Sequence, residues 1–119
     1  MLQTRSKTRG KSGEVTFKNA APLFAALGDA TRLEVVARLS ATGPMSIARI
    51  TAGSGVTRQA VSKHLRVLEG AGLVRGGRTG RESVWTLEPE QLETARQSLD
   101  LISRRWDEAL GRLRALVEE

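Results

Sequence analysis

A mainly α-helical fold carrying a two-stranded β-hairpin is predicted by three observations. Apolar residues recur at three- and four-residue steps from Phe17 onward, in blocks separated by glycine-containing breaks. The stretch "RGGRTGRE", residues 75–82, is rich in glycine and arginine and lies between two short apolar runs, as a hairpin tip does. The chain then closes on a long segment with a seven-residue apolar repeat.

Each element has its own signal. Phe17, Ala20, Leu23, Phe24 and Leu27 form the first helical stripe, which Gly28 stops; Pro22 is expected to confine that helix to its later turns or to kink it. Asp29 is placed to cap a second helix, "ATRLEVVARLS", whose apolar side reads as Leu33, Val36, Ala37 and Leu39. "ATGP" breaks the chain, and Ser46 can cap a short helix to about Gly53, with Ile47, Ile50 and Thr51 turned inward. "GSGV" reads as a turn, Thr57 as the next cap, and Val61, Leu65 and Leu68 as the inward positions of the helix that follows. "EGAG" ends it. Leu73–Val74 and Ser83–Leu87 read as two short strands, with Trp85 and Leu87 on a core face. Glu88–Pro89 opens the last helix, proline being tolerated in a first turn.

The chain has 119 residues, enough for one domain with one modest core, and a net charge of +6. Charge is segregated: residues 1–13 hold four basic groups and no acid, residues 57–82 six basic against two acidic, and residues 83–119 five against eight. Such separation suggests one side facing a polyanion and another facing something else. Residues 1–13 lack apolar periodicity and are expected to be a disordered basic tail, either merely flexible or an arm for a minor groove, ahead of one domain over residues 14–119. No apolar run reaches membrane-span length and no signal-peptide core is present, so the expected compartment is the cytoplasm and no membrane partner is expected. The absence of cysteine excludes disulfides, thiolate metal sites and a Cys nucleophile, and the single histidine, His64, leaves little for metal or acid–base chemistry. With no Tyr, no triad and no phosphate-cradling loop, catalysis is not expected, and neither is a cofactor. "GRTGRE" belongs to a hairpin and is not a dinucleotide-binding fingerprint.

A short helix, a glycine turn, a second helix with basic outward residues and an arginine-tipped hairpin, in that order over residues 46–87, spell a winged helix-turn-helix. An α-helix fits the major groove of B-DNA, where each base pair shows a distinct pattern of donors and acceptors. With Val61, Leu65 and Leu68 anchoring the helix, its outward N-terminal residues are free to enter the groove. Gln59 suits bidentate bonding to adenine; Arg58 suits guanine or a phosphate; Thr57 and Ser62 suit bases or backbone. Lys63 and Arg66 are assigned to phosphates, and Arg78 and Arg81 on the hairpin to the backbone or the minor groove. His64 reads as a packing residue between helices, Trp85 as core and Trp106 as an interface filler. In the last helix Leu92, Leu99, Trp106 and Leu113 fall seven apart, and Ala95, Ile102, Ala109 and Leu116 form a second series. A seam this regular calls for a helical partner, met either within its own domain or, the better reading for the terminal helix of a small domain, by a second copy of the chain.

The stretches "LFAALGDATRLEVVARLS", "GVTRQAVSKHLRVLEGAGLV" and "GRESVWTLEP" resemble the ArsR family of bacterial winged-helix repressors, a resemblance that covers nearly everything from Phe17 onward. It implies a homodimer built on the first and last helices, hence through Phe17, Leu23, Phe24, Leu92, Leu99, Ile102, Trp106 and Leu113. It also implies repression at an inverted-repeat operator, with the two recognition helices about 34 Å apart. The family commonly has proline at the position of Ala30, a small departure at a helix start. A larger departure concerns metals. The cysteine pair of thiolate-type sensors would fall near Ser46 and Ala48, which cannot act as soft ligands. The His-containing zinc patterns of the last helix are missing too, leaving Asp100 and Asp107 as solvent-facing charges. A metal-independent homodimeric repressor of double-stranded DNA is therefore expected, with an unidentified small-molecule effector left open. The competing reading is a winged-helix module whose seam receives a foreign protein helix.

Overall fold

The computed structural model describes residues 17–118; the basic segment 1–13 thus lies outside the described residues. Helix α1 (Phe17–Leu27) and helix α2 (Ala30–Thr42) are followed by strand β1 (Met45–Ser46), helix α3 (Ile47–Ala52) and helix α4 (Arg58–Gly70). Strands β2 (Val74–Thr79) and β3 (Glu82–Leu87) then lead into helix α5 (Pro89–Glu118). The fold is mainly helical with an antiparallel hairpin, the winged helix-turn-helix arrangement.

The helix starts follow from their caps. Asp29, in an extended conformation, accepts a hydrogen bond from the Arg32 N–H at 3.0 Å. Ser46 accepts from Arg49 N–H at 3.2 Å and Thr57 from Ala60 N–H at 3.1 Å. Each satisfies one of the amide groups that a helix start leaves without an intrahelical partner. Pro22 does not confine α1 to its later turns. The helix runs from Phe17, and because Lys18 and Pro22 are both exposed, water can serve the carbonyl that proline leaves without a donor.

The hairpin is longer than its sequence suggests, and it gains a third strand. β1 pairs antiparallel with β3 through Met45–Trp85 and Ser46–Val84, giving the sheet order β1-β3-β2. β2 extends through the glycines to Thr79, opposite Glu82, so only Gly80 and Arg81 form the turn. Gly80 has φ 64°, the left-handed conformation that a two-residue hairpin loop requires. Gly76 is needed for a different reason: Trp85 lies across from it in register, and a Cβ there would come within 2.8 Å of the indole.

One core joins these pieces. Leu23, Val35, Val36, Leu39, Met45, Ile47, Ile50, Val61, Leu65, Leu68, Leu73, Val74 and Ala95 are buried together, with Phe24, Leu27, Trp85, Leu87 and Leu92 packed against them. On α2 the buried side is Val35, Val36 and Leu39; Leu33 and Ala37, assigned inward from spacing, face out. Leu23, expected at the subunit contact, is only 3% exposed and belongs to this chain's own core. α5 touches the core only near its start, through Leu92 and Ala95. Beyond Ser98 its apolar residues are largely uncovered along a helix about 45 Å long.

The close approach of Gly76 to Trp85 gives a matched test. Gly76→Ala should lower stability by about 1–3 kcal/mol, the cost of displacing a packed ring. Gly77→Ala, where a Cβ would meet nothing within 4 Å, should cost far less in the same urea-denaturation experiment.

Candidate nucleic-acid interface

The interface is built around α4. Val61, Leu65 and Leu68 have no exposed surface, which fixes the rotation of the helix about its axis. At 3.6 residues per turn, Gln59, Lys63 and Arg66 lie opposite those anchors, and all three are exposed. Thr57, Arg58, Gln59, Ala60, Ser62, Lys63 and Arg66 line one open surface concavity, bringing together the six residues predicted from this helix. Ser62 is half-buried on its flank.

The turn that aims α4 is held from both sides. The Arg38 guanidinium, reaching across from α2, donates to the carbonyls of Ile50 and Arg49 at 3.0 Å each, and so caps the C-terminal end of α3. Gly53 makes room: a Cβ there would lie 2.6 Å from that guanidinium. Gly55 turns the chain with φ 77°, and Ser54 Oγ accepts from Val56 N–H at 3.2 Å while donating to Thr51 O at 2.9 Å. Spacing alone did not single out Arg38, because an arginine that seals a neighbouring helix looks in sequence like any surface cation.

Electrostatics separate the arginines into two groups. Arg75, in the basic "RGGR" stretch, is paired with Glu88 at 2.7 Å, and Gly76 N–H donates to Glu69 Oε2 at 3.4 Å, rooting the wing on the end of α4. The side chains of Arg58, Lys63, Arg66, Arg78 and Arg81, by contrast, make no ion pair or hydrogen bond among the described residues, and all are exposed. Arg78 lies near the end of β2 and Arg81 in the turn, so the structure separates these two from the α4 set and carries them on the wing. Arg49, on the short helix before the turn, is a further exposed cation outside the set that spacing assigns to DNA.

His64 faces inward, its side chain 21% exposed, with Nδ1 3.1 Å from Arg32 and 3.9 Å from Asp29. It packs between α2 and α4 and does not join the basic face. Among the described residues no three His, Asp or Glu side chains come together as a metal cluster. No described helix is long and apolar enough to cross a membrane.

The second candidate surface lies on α5 and α1. Leu99, Ile102, Trp106 and Leu113 are exposed, Trp106 by 61%, and they continue to Leu116 and Val117. Phe17 is exposed beneath the Arg105 guanidinium, 5.6 Å from its ring centroid, a cation–π contact that ties α1 to the outer part of α5. Phe24 and Leu92 are half-buried against the core and contribute only their outer edges.

A basic helix fixed by a glycine turn, with a basic wing beside it, defines a winged helix-turn-helix DNA-binding protein. Residues 27–76 match the family model described as a helix-turn-helix domain. Over 103 residues the chain is 36% identical to the HTH-type transcriptional regulator Rv2034 of Mycobacterium tuberculosis, covering 87% of this chain and 92% of that one. Among solved structures, an ArsR-like transcriptional regulator from Rhodococcus sp. RHA1 superposes with TM-score 0.69 at 31% identity, covering 84% of this chain and 93% of the other. The homodimeric winged helix-turn-helix DNA-binding domain of Mb0332 from Mycobacterium bovis shares the fold at TM-score 0.57 and 24% identity, covering 81% and 85%. The chain belongs to the ArsR-type helix-turn-helix transcriptional regulators, a family that binds DNA and does not catalyse.

Asp29 supplies a pH test of the scaffold beneath α4. The Arg32 backbone N–H, and after it the nearby His64 ring and Arg32 guanidinium, hold its carboxyl below the ordinary value of 3.8. A depressed native value contributes stability that is complete above the unfolded value and is lost as pH falls through the native one. Wild type should therefore lose stability more steeply below about pH 4 than Asp29→Asn, which keeps a capping oxygen but does not titrate. Acid titration of the urea midpoint would show it, and parallel curves would exclude the linkage.

Proposed function

We propose that the protein is a homodimeric, metal-independent repressor that binds an inverted-repeat operator with α4 of each subunit in the major groove. The observation that carries this reading is the group of five exposed cations, Arg58, Lys63, Arg66, Arg78 and Arg81, that have no internal partner among the described residues. A fold that pairs Arg32, Arg38, Arg75 and Arg96 internally leaves these five to the solvent side of the recognition helix and wing. Phosphates are the partner that such a face meets on a duplex, since neutralising them releases condensed counterions. Gln59, between Arg58 and Lys63, reads adenine through its paired donor and acceptor, and Arg58 reads guanine or holds a phosphate. Thr57 and Ser62 contact backbone or base edges. Lys63 and Arg66 set register on the backbone, while Arg78 and Arg81 follow the flanking groove.

The homodimer rests on the exposed apolar seam of Leu99, Ile102, Trp106 and Leu113 with Phe17 alongside. Six large apolar side chains are exposed along this one helix, the kind of surface that marks a protein contact. Phe24 and Leu92 close its inner edge. The M. bovis neighbour, alike in fold, is itself described as homodimeric. Metal independence rests on chemistry: Ser46 and Ala48 occupy the positions where thiolate sensors carry cysteines, and α5 contains no histidine. The signal that relieves repression is then a small molecule, another protein, a redox-independent modification or the concentration of the repressor itself, and the site of action is the cytoplasm, where the DNA is.

Binding of a genomic fragment selected by the protein should fall in the range of about 10⁻⁸–10⁻¹¹ M at physiological salt. Gln59→Ala should change the ranking of operator variants by about 1–3 kcal/mol at particular base pairs. Lys63→Ala should weaken all sequences alike and flatten the log-salt slope by about one unit. An unchanged ranking in Gln59→Ala would remove the base-reading assignment. Sedimentation of Trp106→Glu should give a monomer with weakened operator binding. A wild type that is itself monomeric at micromolar concentration would favour a foreign helix on the seam. Zinc or arsenite should leave operator affinity unchanged.

A further inference from the structure

Arg32 joins the elements on which both candidate surfaces are built. From α2, its Nε donates to the carbonyl of Ala26, in the last turn of α1, at 2.6 Å. Its other arm places NH1 3.1 Å from Nδ1 of His64, midway along α4. A guanidinium has donors only, so Nδ1 is the acceptor and the neutral ring carries its proton on Nε2. Asp29 holds the backbone of Arg32 at 3.0 Å and lies 3.9 Å from the same ring nitrogen. α1 packs on α5, so one side chain links the end of the seam-bearing layer to the recognition helix.

We propose that Arg32 is a positioning residue for DNA binding: its fork between Ala26 O and His64 Nδ1 sets α4 against α1, and it does so only while Nδ1 is unprotonated. The inference rests on the reading of α4 as the DNA-contacting helix. Nε and NH1 of Arg32 are both engaged inside the chain, so it acts through His64 and not by neutralising a phosphate. A protonated imidazole has no acceptor to offer and faces the guanidinium as a like charge, while Asp29 becomes its natural partner. Arg32 then loses its hold on α4. The charged groups at the ring are Asp29, which caps α2, and Arg32 in its first turn. The charged side chains of the other elements around α4, Lys18 of α1, Arg49 of α3 and Arg75 and Arg78 of β2, make no hydrogen bond or ion pair with it, nor does Lys63 of α4 itself. His64 is the only histidine of the chain.

The test is operator affinity, by fluorescence anisotropy between about pH 5.5 and 7.5, for wild type, Arg32→Ala, Arg32→Lys and His64→Asn, with thermal melts on the same samples. Wild-type affinity should fall on acidification. His64→Asn, whose amide oxygen can replace Nδ1 as acceptor but does not titrate, should bind as wild type does at neutral pH and stay flat as pH falls. Arg32→Ala should lose about tenfold or more in affinity with its log-salt slope unchanged. Arg32→Lys should not restore it, because one ammonium cannot span both acceptors. A His64→Asn variant that keeps the wild-type pH profile overturns the inference, and so does an Arg32→Ala variant that binds normally or shows a flattened salt slope. If wild type binds no duplex, the DNA reading itself fails; if wild type binds and Arg32→Ala matches it, only the Arg32 inference does.

Discussion

Everything about this surface depends on the burial of Val61, Leu65 and Leu68. Each removes enough apolar area from water to be worth about 1.5–3 kcal/mol, and together they allow α4 only one rotation about its axis. A turn of one residue, about 100°, would drive a cation such as Lys63 or Arg66 toward the core without a partner, which is far costlier than any gain in packing. The core therefore decides which residues face out, and those residues are Gln59, Lys63 and Arg66. Arg38 and Gly53 then fix the end of α3, and Thr57 fixes the start of α4, so the basic face has a direction as well as a composition.

The same economy of charge separates the molecule into two working sides. Acidic partners are taken up locally: Glu88 on Arg75 at the root of the wing, and Glu93 and Asp100 on Arg96 along one exposed face of α5. None reaches the cations of α4 or the wing tip. The outer part of α5 offers apolar surface instead, with Trp106 and Leu113 more than half exposed. A basic surface and an apolar surface are thus carried on different elements of one small fold, and Arg32 is hydrogen-bonded to both α1 and α4.

Local chemistry was the legible part of the sequence. The three caps Asp29, Ser46 and Thr57, the anchors of α4 and the heptad of α5 are all encoded within a few residues of where they act. What escaped was set by distant partners. β1 is two residues long and exists because β3 is there to pair with it. β2 runs through glycines with no strand-like alternation, and its reason, a bare backbone under Trp85, lies on the opposite strand. Leu33 and Val35 both fit a helical stripe, and only the packing of α2 on its neighbours chooses between them. Leu23 faces its own core for the same reason. The arginines were the hardest to read: nothing local distinguishes Arg32, Arg38 and Arg75, which are engaged, from Arg58, Arg66 and Arg78, which are not. The basic face was found because most of its members happened to share the spacing of one helix.

The central claim is that two copies of this chain present their α4 helices to one duplex. Because the chain has no cysteine, a single Val67→Cys variant can be spin-labelled on α4, outside the core, without further change. Dipolar spectroscopy on the labelled protein bound to a selected operator should then give one intersubunit distance centred near 34 Å, one turn of B-DNA. No intersubunit signal, or a separation that no single duplex face could accommodate, would contradict it.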